Sequence, residues 1–94
     1  MATYLMFGRY TLEGLKGISA ERSDKAAALL KKYGGEIKSG YALLGKDDLV
    51  LVTDFPATEQ AMKASIALAK LTGIAFTTAP AVSMAEFDKL AKDT

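Results

Sequence analysis

The sequence contains no cysteine and no histidine. Without cysteine there can be no disulfide, no thiolate nucleophile and no thiolate-bound metal. Without histidine the chain lacks the usual general base at neutral pH and the most common transition-metal ligand. We therefore expect no metal site and no cofactor. Any polar site must be built from carboxylates, lysine, arginine, tyrosine or hydroxyl groups.

An excess of one charge is also absent, because 12 basic residues stand against 11 acidic ones and leave a net charge of +1. No basic stripe with interleaved aromatic residues runs along the chain, so nucleic acid is not an expected partner. The N-terminus does not resemble a signal peptide, and no apolar run approaches the roughly 18–20 residues that cross a bilayer. We expect a cytoplasmic protein that does not contact membranes.

Apolar residues, in contrast, are abundant, because half of the 94 residues are hydrophobic. A chain of this length is expected to form one domain over residues 1–94, and to bury only roughly 60–65% of the surface that its unfolded form exposes. So much apolar surface on so small a body indicates that a subunit interface covers part of it.

The apolar patterns follow the order strand, helix, strand, strand, helix, strand and short terminal helix. Strands are predicted over residues 3–10, 36–44, 49–55 and 74–78, the last continuing raggedly to Val82. Helices are predicted over 11–33 with a break near Gly17, over a second segment capped by Thr58 and ended by Gly73, and from Ser83 onwards. This order predicts an α+β, ferredoxin-like βαββαβ fold, with a four-stranded antiparallel sheet and helices on one face.

The first and third strands are apolar on both faces, which is typical of central strands. The second strand is more polar and suits an edge of the sheet. One face of such a sheet has no cover from its own chain. We therefore predict a homodimer or higher homo-oligomer, in which two sheets pack face to face.

Arg22 is the most informative polar residue, since it lies one helical turn from the apolar residues Ile18 and Ala26. It either lays its stem on the edge of the core with the guanidinium in water, or forms a fixed cation at the mouth of a pocket between helix and sheet. Tyr10 and Tyr41 are expected either to line that cavity as hydroxyl donors or to act as half-buried packing groups.

Asp47 and Asp48 are adjacent carboxylates in the turn between the second and third strands. If both lay in a strand they would point to opposite faces, so they do not predict a paired acid and base. Asp48 is either a turn residue that bonds to the backbone or an acidic group of the site. The candidate ligand-binding residues are thus Arg22, Tyr10, Tyr41 and Asp48, without an assigned catalytic residue.

Several short segments resemble those of one known family. They are Gly14, Gly34-Gly35, Ala42-Leu43-Leu44-Gly45, Asp48-Leu49-Val50, Pro56 with Glu59 and Ala61, Gly73, Thr77-Thr78-Ala79-Pro80-Ala81-Val82 and Glu86-Phe87. With them almost the whole chain is similar to the GYD domain family of small prokaryotic proteins. The hairpin pattern that names the family matches at Gly45 and Asp48, whereas its tyrosine position holds Asp47.

The GYD family is similar to the dimeric α/β-barrel group, in which two ferredoxin-like subunits pair their sheets. The resemblance therefore implies a homodimer. Members of the wider group include cofactor-free oxygenases, isomerases and haem enzymes, so the resemblance implies a fold rather than a reaction.

Three functions remain open from the sequence. The first is a homodimer that holds a small, mainly apolar molecule between sheet and helices. The second is a cofactor-free enzyme, of oxygenase or isomerase type, that acts on an aromatic or oxo-acid substrate oriented by Arg22, with a tyrosine or aspartate as acid or base. The third is a structural or partner-binding module without a pocket.

Overall fold

Four antiparallel strands form one sheet in the computed structural model, which describes residues 1–94. The strands are β1 (Ala2–Tyr10), β2 (Glu36–Ala42), β3 (Leu49–Phe55) and β4 (Ile74–Ala81), and their order in the sheet is β2-β3-β1-β4. The element order and the sheet confirm the predicted α+β, ferredoxin-like fold. They also confirm that β1 and β3 are central and that β2 lies at an edge.

The first helical region is divided into α1 (Leu12–Lys16) and α2 (Ala20–Lys32). Thr11 caps α1 by accepting a hydrogen bond from the Gly14 amide, and Ser19 caps α2 by accepting one from the Arg22 amide at 3.0 Å. Each hydroxyl satisfies an amide that has no partner within its helix. The predicted break near Gly17 is thereby confirmed.

The second long helix, α3 (Thr58–Thr72), begins differently from the prediction. Its N-cap residue is Ala57, which makes no side-chain capping bond, so the predicted cap at Thr58 is wrong. The Thr58 hydroxyl instead lies 2.9 Å from the hydroxyl of Tyr4. The helix ends, as predicted, at Gly73, whose left-handed backbone (φ +70°) suits glycine.

Strand β4 and the terminal helix α4 (Met84–Lys92) complete the chain. The strand continues regularly through Pro80 to Ala81, which an edge strand permits because one side of its backbone has no partner strand. Ser83 caps α4 by accepting a hydrogen bond from the Glu86 amide at 3.1 Å. No helix of the protein has the length and apolar character needed to span a membrane.

Side chains of the central strands alternate between two faces of the sheet. The covered face packs against the helices and carries the core residues Tyr4, Met6, Thr53 and Phe55, all of them buried. The open face carries Leu5, Phe7, Val50 and Val52, all of them only half-buried. Only 13 of the 94 residues are buried, so one chain leaves much apolar surface in contact with water.

Candidate functional site

A cavity of about 140 Å³ lies between the covered face of the sheet and helices α2 and α3. We call it the inner cavity. Most of its wall is apolar, and its lining residues are Tyr10, Arg22, Ser23, Ala26, Ile37, Leu49, Leu51, Leu68, Thr72, Ile74 and Phe76. Gly8 allows Leu49 and Phe76 to pack closely over β1, because a Cβ at position 8 would lie only 2.9 Å from the Leu49 side chain and 3.0 Å from the Phe76 ring.

Arg22 forms the cationic part of the inner cavity wall. Its Nη1 donates hydrogen bonds to the carbonyl oxygens of Gly14, at 2.6 Å, and Thr72, at 3.4 Å. These bonds join α1, α2 and the end of α3, and they fix the guanidinium in place. The half-buried side chain also borders a polar surface depression of about 600 Å³ that contains Lys16 and Lys70. Arg22 thus separates the apolar cavity from a solvent-facing polar surface.

Tyr10 lines the same cavity as Arg22, and Asp48 is tied to the backbone of Tyr10. The Asp48 carboxylate accepts a hydrogen bond from the Tyr10 amide at 2.8 Å, and the Asp48 amide donates to the Gly8 carbonyl at 2.8 Å. Its own carbonyl accepts from the Leu43 amide at 2.8 Å. Asp48 therefore fastens the β2–β3 loop to the end of β1, and its side chain does not line the cavity.

Tyr41 lies on the opposite side of the sheet from Arg22 and Tyr10. A bulge at Lys38 inserts one residue between the pairs Ile37–Thr53 and Ser39–Val52. Without it Tyr41 would pair with Leu49 on the covered face. With it Tyr41 pairs with Val50 on the open face, where its side chain is 61% exposed. The expectation that Tyr41 lines the inner cavity is wrong, because an inserted residue reverses the facing of all that follow.

A charged cluster occupies one end of the open face. The Lys38 ammonium lies 3.0 Å from the Glu36 carboxylate and 3.4 Å from that of Asp54, and Asp54 also accepts a hydrogen bond from the Thr3 hydroxyl. The hydrogen bond and charge of Glu36, followed by those of Asp54, raise the pKa of Lys38 above the ordinary value of 10.5. This polar end contrasts with the apolar centre of the same face.

A second depression, of about 310 Å³, lies on the helix side between α3 and β4. We call it the outer groove. Its apolar walls include Met62, Ile66, Phe76 and Pro80. The only sequence signal for the outer groove was the broad apolar pattern of α3. That pattern predicts a buried helix face and not an exposed groove. In the structure Met62 is 62% exposed and Ile66 58% exposed.

The GYD domain family model matches residues 4–91 of the chain. The chain belongs to the GYD domain family. No curated protein shows significant sequence similarity to it. At the GYD hairpin, Gly45 has no atoms near its missing side chain, while Asp48 makes the three bonds described above. In this GYD domain the hairpin is therefore anchored to β1 by Asp48.

Solved structures confirm the fold of this GYD domain. One is the leucine response regulatory protein LrpA of Mycobacterium tuberculosis, with 11% sequence identity and a TM-score of 0.58. Another is a glutamate-to-alanine mutant with 12% identity and the same TM-score of 0.58. Each similarity covers 88% of this chain and 51% of the other, so the GYD domain spans about half the length of these structures.

Proposed function

We propose that this GYD domain is a homodimeric binding protein for a small, mainly apolar molecule with an acidic group. The inner cavity carries the proposal, because it combines an apolar wall with one fixed cation, Arg22. The apolar part of the ligand lies against Leu49, Ile74 and Phe76, and its acidic group faces Arg22.

The volume limits the size of the ligand. A cavity of about 150 Å³ lined by apolar residues is known to hold benzene. The inner cavity, at about 140 Å³, therefore suits an apolar group no larger than a benzene ring or a branched aliphatic chain. Leucine, which the name of the M. tuberculosis regulator mentions, has a side chain of this kind and a carboxylate, so it is a suitable probe.

The hydrogen bonds of Arg22 leave room for an anion. Both of its bonds to backbone carbonyls come from Nη1. A guanidinium has five N–H groups, so Nε and Nη2 can donate to a carboxylate while Nη1 keeps the side chain in position. The adjoining polar depression gives such an acidic group a route to solvent.

The open face of the sheet supports the proposed homodimer. Leu5, Phe7, Val50 and Val52 form a continuous apolar area on the two central strands, and no element of the same chain covers it. A second copy with the same face packs two sheets about 10 Å apart and removes this surface from water. This pairing places the dimer interface on the side of the sheet that the inner cavity does not use.

Binding is tested with benzoate, leucine and neutral benzyl alcohol, monitored by NMR shifts of the Leu49 and Ile74 methyl groups. We expect benzoate or leucine to shift these methyls, and Ala26→Leu, which fills the cavity, to abolish the shifts. Ala28→Leu, on an exposed part of α2, is the matched control and should retain them. Arg22→Gln should weaken binding of the acids by about tenfold or more but spare benzyl alcohol.

Unchanged methyl shifts with every probe, or equal binding by Ala26→Leu and the wild type, would contradict the proposal. The protein would then fit a structural or partner-binding module.

An enzymatic role is a second candidate, favoured by the presence of Tyr10 in the same cavity as Arg22. It requires that Tyr10→Phe lower the turnover of a bound aromatic or oxo acid without lowering its affinity.

A further inference from the structure

Strand β2 places two very small residues on the covered face, directly beside the inner cavity. Gly40 pairs with Leu51 and Ala42 pairs with Leu49, and both leucines line the cavity. A Cβ at Gly40 would lie 3.1 Å from Cδ2 of Leu51, so position 40 faces the same side as the leucine side chain. Neither Gly40 nor Ala42 has a side chain long enough to close the cavity at this edge of the sheet.

The bulge at Lys38 produces this arrangement. In a regular strand Tyr41 would pair with Leu49 on the covered face, and its ring would lie at the edge of the inner cavity. With the bulge, Ala42 takes this place and Tyr41 moves to the open face. The same shift brings Gly40 to the covered face. The inserted residue thus exchanges a large aromatic side chain for a methyl group beside the cavity.

Helix α2 leaves this corner of the sheet uncovered. Ser23 and Ala26, in the first half of the helix, form the cavity wall that faces the sheet. Gly40 and Ala42 are exposed, whereas Ile37, on the same face but earlier in β2, is half-buried. The inner cavity therefore opens to solvent over the end of β2. We call the gap over Gly40 and Ala42 the edge opening.

The inner cavity has its charged group near the other edge of the sheet. Arg22 donates a hydrogen bond to the carbonyl of Thr72, which ends α3 just before β4 begins. Strands β4 and β2 are the two edges of the sheet, three strand spacings or about 14 Å apart. The cavity thus has a fixed cation near one edge and an apolar opening at the other.

The edge opening suits a narrow hydrocarbon chain. Gly40 and Ala42 have no polar side-chain atoms, and a glycine inside a strand often marks a close approach by a ligand. A ring or a branched chain occupies only the enclosed space of about 140 Å³. An unbranched chain fills the same space and continues over the two small residues, where it covers the exposed sides of Leu49 and Leu51.

We propose that the inner cavity binds an unbranched aliphatic carboxylic acid, with its carboxylate at Arg22 and its tail in the edge opening over Gly40 and Ala42. This inference rests on the proposed function, because it names the class of small molecule that the same cavity takes. Gly40 and Ala42 are then the residues that determine which chain lengths the protein accepts.

A series of linear acids tests the proposal, with binding followed by NMR shifts of the Leu49 and Ile74 methyl groups. Butanoate, hexanoate and octanoate are compared below the concentrations at which they form micelles. Each methylene buried on both sides would strengthen binding about fourfold. Because the edge opening covers the tail on one side, we expect about a twofold gain for each added methylene, and octanoate to bind at least about tenfold more tightly than butanoate.

Two substitutions narrow the edge opening without touching the enclosed part of the cavity. Ala42→Leu should remove the advantage of octanoate over butanoate, while the affinity for butanoate stays within about twofold of the wild type. Gly40→Val should act in the same way, and its backbone accepts a side chain because its φ is not positive. Ala28→Leu, on an exposed part of α2, is the matched control and should keep the full dependence on chain length. Thermal unfolding identifies any variant that has lost its fold.

Two results would overturn the proposal and leave the proposed function intact. One is equal affinity of the wild type for butanoate and octanoate, together with binding of benzoate or leucine. The other is an unchanged preference for octanoate in both folded variants, which would place its tail away from Gly40 and Ala42. If benzoate, leucine and all the linear acids leave the methyl shifts unchanged, the proposed function itself fails, and this inference fails with it.

Discussion

The two faces of the sheet have similar apolar residues but different surroundings. On β1, Met6 is fully buried on the covered face, while Leu5 and Phe7, its immediate neighbours, remain half-buried on the open face. On the covered face, the central strands pack against helices of the same chain and their side chains Tyr4, Met6 and Phe55 are buried. The open face is equally apolar but lacks a second layer. On one strand, apolar residues of the covered face should therefore stabilise the folded monomer, whereas those of the open face should stabilise the proposed dimer.

The largest expected effect is on the covered face at Phe55. Its ring is fully buried, packs edge-on against Tyr4 at 6.0 Å and fills the space above Gly35. Truncation leaves a cavity, so Phe55→Ala should lower the free energy of unfolding by about 3–5 kcal/mol. Phe7→Ala on the open face should cost about 1 kcal/mol in the monomer. Urea unfolding under dilute conditions measures both, and equal losses would contradict the contrast between the faces.

The next effect concerns association through the open face. Val52→Asp places an unpaired carboxylate at the centre of the proposed dimer interface, where its desolvation is unfavourable. We expect the dimer dissociation constant to rise by at least about a hundredfold, which corresponds to about 3 kcal/mol.

The control for this variant is Val52→Thr, which keeps the shape of the side chain without a charge. Sedimentation equilibrium over a range of concentrations compares the two. If the Val52→Asp variant had the same dimer dissociation constant as the wild type, the open face would be ruled out as the interface.

The hairpin offers a matched pair of adjacent carboxylates. Asp48 accepts the hydrogen bond of the Tyr10 amide, whereas the side chain of Asp47 has no such bond. Asp48→Ala removes a charged acceptor from a half-buried amide and should lower the free energy of unfolding by about 1.5–3 kcal/mol. Asp47→Ala should change it by less than about 0.5 kcal/mol. Similar values for both variants, measured by thermal unfolding, would show that the Asp48 bond does not hold the loop.

The fold could be predicted because its signals are local. The two-sided hydrophobicity of β1 and β3 indicates their central positions. Gly34 and Gly73 mark the ends of α2 and α3, because each adopts the left-handed backbone that ends a helix and that glycine favours. The cap at Thr58 was predicted wrongly, because its hydroxyl bonds across the fold to Tyr4. A partner that is distant in sequence leaves no trace in the local pattern.

The site could be predicted only in part. Arg22 and Tyr10 lie at the same cavity, because helix and strand periodicity fix the faces of α2 and β1. Tyr41 was predicted on the wrong face because the bulge at Lys38 has no marker in the sequence. The one extra residue moves the side chains of the rest of β2 to the opposite face of the sheet. The outer groove was missed for a related reason, since hydrophobic periodicity shows that α3 has a broad apolar face but not how much of it the same chain covers.

The smallest effect expected is at the charged end of the open face. Glu36 and Asp54 raise the pKa of Lys38 above 10.5 in the folded protein. The stabilisation from this charge is therefore fully present below pH 10.5 and is lost as the pH rises through the raised pKa. The effect in the monomer should be small, because the pair is exposed to solvent.

The difference in melting temperature between the wild type and Lys38→Met, followed from about pH 9 to about pH 12, isolates this group because the other titrations occur in both proteins. We expect the advantage of the wild type to shrink across this range. It should shrink more at protein concentrations that favour the dimer, because a second sheet would displace water from Lys38 and its carboxylate partners and strengthen their attraction. The same pH dependence at low and high concentration would place the charged end of the open face outside the interface and confine the dimer contact to the apolar centre around Val50 and Val52.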